Sequence, residues 1–213
     1  MILNAKKSKY TVFFRCNKLL TDSFLSDFPF DFASEIEFLA FHLTQDMSFN
    51  HSCDHICTKL KICCKLLNTF TFLPRKVLCD IFNSIGVPYI LYFVNLIVIF
   101  PKFLFNRLTV AYNTCLRSIY GFNKCRYLST NFVLDSLKML CFSDFIDMHY
   151  RNFIFKCVNK KIAPYLSCFF GDCNSRTLEI SLPRVNTLIG SKAFSFHTVN
   201  YWNKLPCDIR KSF

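Results

Sequence analysis

Glycine is scarce in this chain: four in 213 residues, at positions 86, 121, 171 and 190. Loops that cradle phosphate need several glycines so that backbone amides can approach the anion, and such a loop is excluded here. Adjacent acidic residues are missing too: no two Asp or Glu are neighbours anywhere. Only 19% of the residues are charged and 52% are apolar, which excludes global disorder. Residues 21–58 hold no Lys or Arg, against seven acidic residues (Asp22, Asp27, Asp31, Glu35, Glu37, Asp46 and Asp54). The opening MILNAKKSKY has no apolar run of signal-peptide length. With no secretion signal, the 13 cysteines, odd in number and without a repeating frame, read as mostly reduced thiols of an intracellular protein, nuclear or cytoplasmic.

What is present is positive charge. The net charge is +12, and residues 101–213 hold sixteen basic against six acidic residues. That balance suits a polyanion, RNA or DNA, or an anionic membrane surface; the bland alternative is a solvated basic face.

Hydrophobic period organises the chain as mainly α with a small antiparallel β element at its front. KYTVFF (9–14) and IEFLAFHL (36–43) are β-branched and aromatic, and are expected to pair with each other. From Ser48 the period changes. Cys53, Ile56, Leu60, Cys63, Leu67 and Phe70 recur at three- and four-residue steps, an amphipathic helix capped by Ser48 or Asn50. LPRKVLCDIFNSI repeats the pattern with Pro74 in a first turn, and FNRLTVAYNTCLRSIYG ends at Gly121. STNFVLDSLKML and SDFIDMHYRNFIFKCVNK follow, each opened by a Ser or Thr cap. PYLSCFF, opened by Pro164, precedes a loop or hairpin over 171–189, and the last helix starts near Ser191. In SKAFSFHTVNYWNKLPCDIR, Trp202 is expected as a buried anchor, Leu205-Pro206 as a helix stop, and Asp208 and Arg210 as surface residues. Residues 81–101 carry no charge and are long enough to span a bilayer, with Lys102 and Arg107 as a positive flank. Against a span, Pro88, Asn95 and Pro101 interrupt the run, and Gly86-Val87-Pro88 reads as a break between two shorter buried helices.

Two constellations carry candidate chemistry. His51, Cys53, His55 and Cys57, with Cys63 and Cys64 beyond, have zinc-ligand chemistry. The His pair and the Cys pair lie about 200° apart around one helix, so one ion cannot collect all four. Cys168 and Cys173 are too far along the chain to complete either half, and no metal is expected. The cysteines then read as core and the histidines as polar-face residues. In RSIYGFNKCRY, Arg117, Lys124 and Arg126 interleave with Tyr120, Phe122 and Tyr127. Cations neutralise phosphates and aromatics stack on unpaired bases, although a basic helix end needs no ligand to explain it. KCVNKK (156–161) carries the same two readings. No nucleophile elbow is present.

LNAKKSKYTVFF, FLAFHLTQDMSFNHSCDHICTKL, LPRKVLCDIFNSIGVPYILY, RLTVAYNTCLRSIYG, VLDSLKML, KCVNKKIAPYLSCFF and the closing SKAFSFHTVNYWNKLPCDIR occur in that order. In that order they resemble the C-terminal third of the reverse transcriptase (RNA-directed DNA polymerase) of non-LTR, jockey-like retrotransposons. The resemblance implies a palm-end β hairpin at 1–46, thumb-like helices at 47–100 and an α-rich C-terminal region at 101–213. It implies a parent enzyme that uses Mg²⁺ on an Asp-Asp strand, which this stretch lacks, so the fragment has no catalytic residues and no cofactor of its own. Lys7 matches the family lysine near the pyrophosphate. The hairpin's Gly-Val is Ala40-Phe41 here, and the pattern fades around 93–103. The implied partner is RNA or an RNA–DNA hybrid, gripped by Lys59, Lys61, Lys65, Arg75, Lys76, Arg117, Lys124 and Arg126. The alternatives are a membrane-associated protein spanning at 81–101 and a decayed, non-functional reading frame.

Overall fold

The apolar stripe that begins at Cys53 becomes a 20-residue helix, and its partner is a second stripe more than fifty residues later. A computed structural model describes residues 9–12, 31–38, 41–45, 48–121, 127–159, 161, 165–166, 170, 174, 178–186, 190 and 193–211. The elements are β1 (Lys9–Tyr10), β2 (Asp31–Phe32), β3 (Glu35–Phe38), β4 (Phe41–Thr44), α1 (Asn50–Thr69), α2 (Arg75–Tyr92), α3 (Val94–Ile97), α4 (Lys102–Tyr120), α5 (Thr130–Leu137), α6 (Phe142–Val158), α7 (Phe194–Asn203) and α8 (Cys207–Lys211). The chain is mainly α with a small antiparallel hairpin near its front. It divides into two units, residues 1–89 with 100–129, and residues 90–99 with 130–213.

In the first unit α1 buries Cys53, Ile56, Cys57, Leu60, Cys63 and Leu67, and α4 buries Leu104, Leu108, Tyr112, Cys115, Leu116 and Ile119. Each fully buried Leu or Ile contributes about 1.5–3 kcal/mol. The two helices run in the same direction, because Cys53 donates to the Leu104 carbonyl (3.7 Å) and Cys115 to the Leu60 carbonyl (3.4 Å). α2 adds Leu78 and Phe82 to this core, and the Phe82 ring meets Tyr112 edge-on at 5.7 Å. Gly121 ends α4 at φ 106°, a conformation that favours glycine. Ser52, fully buried at the start of α1, donates to the His42 carbonyl (3.2 Å) and accepts the His42 N–H (3.3 Å), tying β4 to the helix.

The second unit buries Phe142, Phe145, Ile146, Tyr150, Ile154 and Cys157 of α6. Ile97 of α3, Val133 and Leu134 of α5, and Thr198, Val199 and Trp202 of α7 are buried as well. Trp202 is the expected anchor: 3% exposed, it donates from Nε1 to the Leu178 carbonyl at 2.7 Å. Beside it, Asn203 accepts the Ile180 N–H (3.0 Å) and donates to the Ile180 carbonyl (2.8 Å). One side-chain amide thereby does for an irregular segment what a strand partner does in a sheet.

Several expectations are corrected. Among the described residues KYTVFF does not pair with IEFLAFHL: Lys9–Tyr10 pairs in parallel with Asp31–Phe32, where the Tyr10 and Phe32 rings meet edge-on at 5.6 Å. The 36–43 run is two strands, not one. β3 and β4 pair antiparallel in the register Phe38↔Phe41, and the edges expected for 9–14 are taken up by the run itself. Phe41 is therefore a buried strand residue. Gly86-Val87-Pro88 does not break a helix. α2 runs through it to Tyr92, because Pro88 is exposed and the carbonyl it leaves unbonded, that of exposed Ser84, meets solvent. Gly86 serves close packing, since a Cβ there would stand 2.7 Å from the Phe82 ring. The break falls at Phe93, which caps α3, so residues 81–101 form no continuous span. Among the described residues no helix is long and apolar enough to cross a membrane. Caps differ as well. Phe49 occupies the cap of α1 without a side-chain bond, while Ser48 bonds Thr44 instead. α6 opens two residues earlier than a Ser143 cap would place it, on Cys141, whose sulfur accepts the Asp144 N–H (3.4 Å). Arg210 is not a surface residue: it is 7% exposed and pairs with Glu179 at 3.1 Å.

Candidate nucleic-acid interface

Where α1 and α4 lie side by side, their outer edges leave an open groove of about 640 Å³. α1 lines it with Cys57, Lys61, Cys64 and Lys65, positions that fall on one helical edge at three- and four-residue steps. α4 lines it with Phe103, Asn106, Arg107, Val110 and Thr114. Lys61 and Lys65 are exposed and sit one turn apart on the groove's α1 side. Arg107 stands on the α4 side, ion-paired to Asp54. Phe103 and Val110 are 58% and 66% exposed, so the groove also presents an apolar strip.

The other predicted cations are placed differently. The Lys59 ammonium lies 5.7 Å from the centre of the Tyr89 ring, and the Arg75 guanidinium 4.1 Å from that of Tyr120. Both remain on the surface as cation–π pairs, attractions worth about 0.5–1 kcal/mol at exposed sites. Lys76 is exposed on α2. Arg117 is half-buried and donates to the Leu128 carbonyl (3.3 Å), a structural bond that holds the segment after α4. Lys7, Lys124 and Arg126 lie outside the described residues. Among the described candidates the structure thus brings Lys61 and Lys65 together on the groove and places Lys59, Arg75, Lys76 and Arg117 outside its lining.

Arg107 is the groove residue that the sequence did not nominate. It sits five residues beyond Lys102, the first charge after the uncharged run, where it reads as a flank of a membrane span. Only the register of α4 on α1 sets it opposite Asp54.

The zinc candidates separate as their angular spacing requires. Cys53 and Cys57 are buried in the core, while His51 and His55 face the hairpin, with ring centres 6.1 and 6.2 Å from that of His42. The Glu35 carboxylate lies 2.8 Å from His42 Nδ1 and 3.5 Å from His51 Nδ1. Among the described residues no three His, Cys, Asp or Glu side chains are grouped to hold a metal, and the stretch has no adjacent acidic pair.

Thiols form the groove's inner side. Cys53 and Cys57 share a hydrogen bond that lowers the Cys57 pKa and raises that of Cys53, with Arg107 favouring the Cys57 thiolate. Cys64 is half-exposed. A hydrogen bond from Cys115 is the main influence that brings its pKa down to about 6, against burial and with help from Ser118 and Asn68. Ser118 Oγ is 3.0 Å from its sulfur and Asn68 Nδ2 is 3.8 Å away.

In the second unit, sequence reading missed a polar network. The Tyr150 hydroxyl, buried within α6, lies 3.1 Å from both His197 Nδ1 and Thr198 Oγ1 of α7. Burial raises the Tyr150 pKa, and burial with nearby Lys204 lowers that of His197. Compared with protein-family models, with curated proteins and with solved structures, the chain gives no match.

Proposed function

We propose that the chain is the thumb and C-terminal region of a non-LTR retrotransposon reverse transcriptase, and that it grips an RNA template paired with a DNA primer without supplying the chemistry of polymerisation. The order of the resembling segments along nearly the whole chain supports the ancestry. The grip rests on one observation: Lys61 and Lys65, one turn apart, share an open groove with Arg107 and an exposed Phe103 ring. Lysines held this way neutralise backbone phosphates and release counterions, whatever the sequence bound. An exposed ring beside them offers a stacking surface for an unpaired base. With no adjacent acidic pair in this stretch, the metal-assisted step belongs to another part of such an enzyme.

The test is binding of a labelled RNA–DNA hybrid by fluorescence anisotropy across a salt series. The logarithm of affinity should fall linearly with the logarithm of salt. Lys61→Ala/Lys65→Ala should reduce the slope by about 2, about one for each phosphate that is no longer neutralised. Affinity independent of salt, or an unchanged slope in the double variant, sinks the groove as the grip. Primer extension by this chain alone, with Mg²⁺ and nucleotides supplied, would overturn the division between grip and chemistry.

A further inference from the structure

We propose that Cys64 is a peroxide-sensitive thiol whose oxidised form is captured by Cys115, locking α1 to α4 through a disulfide beneath the groove. Three thiols meet where the two helices pack. Cys64 is half-exposed on the groove, while Cys63 and Cys115 are buried at 1% and 0% exposure. Cys115 donates to the Leu60 carbonyl at 3.4 Å, one turn before Cys64 on α1, and Ser118, one turn after Cys115 on α4, lies 3.0 Å from the Cys64 sulfur, so the Cys115 thiol packs beside Cys63 and Cys64. Ser118, itself 1% exposed, adds its hydroxyl at 3.0 Å, and Asn68 adds a weak amide donor at 3.8 Å. A partly open sulfur that takes an amide donor and stands beside a hydroxyl and a facing thiol is favoured as its thiolate, the reactive form.

The other thiols do not combine these features. Cys57 lines the groove but is 7% exposed, and its partner Cys53 stands one turn away on the same helix, where the chain cannot readily meet disulfide geometry. Cys63 is adjacent to Cys64 in sequence, which strains a direct bond. Cys115 comes from the facing helix and is the resolving sulfur.

The oxidant is a hydroperoxide. The Cys64 thiolate attacks its outer oxygen; an S–O bond forms, the O–O bond breaks, and the released alkoxide or hydroxide takes a proton from solvent. The sulfur loses two electrons and the peroxide gains them. Cys115 sulfur then attacks the sulfenic sulfur of Cys64. The S–S bond forms, the S–O bond breaks, and hydroxide leaves with the Cys115 proton as water. A dithiol reductant reverses the bond.

The test uses the full chain, reduced and then treated with one equivalent of hydrogen peroxide, with peptide mapping by mass spectrometry. The expected product is a Cys64–Cys115 linked peptide that disappears with dithiothreitol. Cys115→Ser should instead accumulate a dimedone adduct at Cys64, Cys64→Ser should give neither, and Cys57→Ser should behave as the unaltered chain. Mapping of the unaltered chain alone decides the matter should a variant fail to fold: oxidation centred on another cysteine, or a Cys64 sulfenic acid that persists unlinked, overturns the proposal. A second reading is the pH profile of Cys64 alkylation, with a midpoint near 6. A low-pKa thiolate is also a weaker nucleophile, so the net gain over an ordinary thiol is only about twofold at pH 7 and about tenfold at pH 6. A midpoint at or above about 8.5, the ordinary thiol value, also overturns it.

Discussion

The two units bury polar groups by different means. In the first, the thiols along the seam of α1 and α4, with Ser118, bond to one another or to a carbonyl of the facing helix: Cys115 to Leu60, Cys53 to Leu104, Cys64 to Ser118. Regular helices already satisfy the backbone, and the side chains only fill the seam. In the second, residues 178–186 lie outside the helices and the two small sheets, and side chains from α7 satisfy three of their backbone groups: Trp202 the Leu178 carbonyl, Asn203 both polar groups of Ile180. Leu178 holds φ 55°, an uncommon conformation for a branched side chain, and the Trp202 bond helps keep it there. A seam of this first kind loses stability when volume is removed. A stitch of the second kind loses it when a single amide is removed.

Leu108→Ala should have the largest effect. Leu108 is fully buried in α4, and its truncation is expected to cost about 2–5 kcal/mol, read as a fall in the urea midpoint with an unchanged slope. The loss should appear as faster amide exchange in α1 as well as α4. A loss under about 1 kcal/mol would mean that the seam collapses around the gap, and the contrast between units would fail.

Asn203→Ala tests the stitch. It removes little apolar surface but leaves the Ile180 N–H and carbonyl unpaired next to a side chain that is 3% exposed. An unpaired buried group costs about 1–3 kcal/mol, so a loss of about 2 kcal/mol is expected, with Ile180 amide exchange rising at least about tenfold. If Ile180 exchanges at its former rate, water or another group takes the place of Asn203.

The same contrast explains what could be read from the sequence. The α1 stripe was legible because a 3.6-residue period is a local signal: Cys53, Ile56, Leu60, Cys63 and Leu67 are all buried, while Phe70, the last expected member, is the half-buried C-cap. Gly121 as the end of α4 and Trp202 as an anchor were legible for similar reasons, one from backbone freedom and one from size. The groove was half legible. Lys61 and Lys65 share an edge by spacing alone, but Arg107 reaches them through a register of one helix on another that no local pattern encodes. Burial of Arg210 was illegible because its partner, Glu179, lies 31 residues away on a segment without period. Pro88 misled because its effect depends on which side of the helix it faces, and it faces solvent.

The smallest predicted effect is a pH dependence confined to the second unit. Burial holds the His149 pKa below 6.5, and burial with the nearby Lys204 charge does the same for His197. The unfolded chain, whose histidines titrate near 6.5, therefore binds protons first as the pH falls. Stability from these two groups is intact above about 6.5 and is lost as the pH drops through their lower folded values. Tyr150, Thr198 and Tyr201 face His197 without carrying charge in this range, so Lys204 is the charged neighbour that matters. Urea midpoints measured between pH 7 and about 5, above the range where most carboxylates titrate, should fall for the unaltered chain. They should fall less for His149→Gln/His197→Gln, and the acid-accelerated amide exchange should concentrate in α6 and α7. An equal fall in both proteins would assign the acid sensitivity elsewhere and remove this difference between the two units.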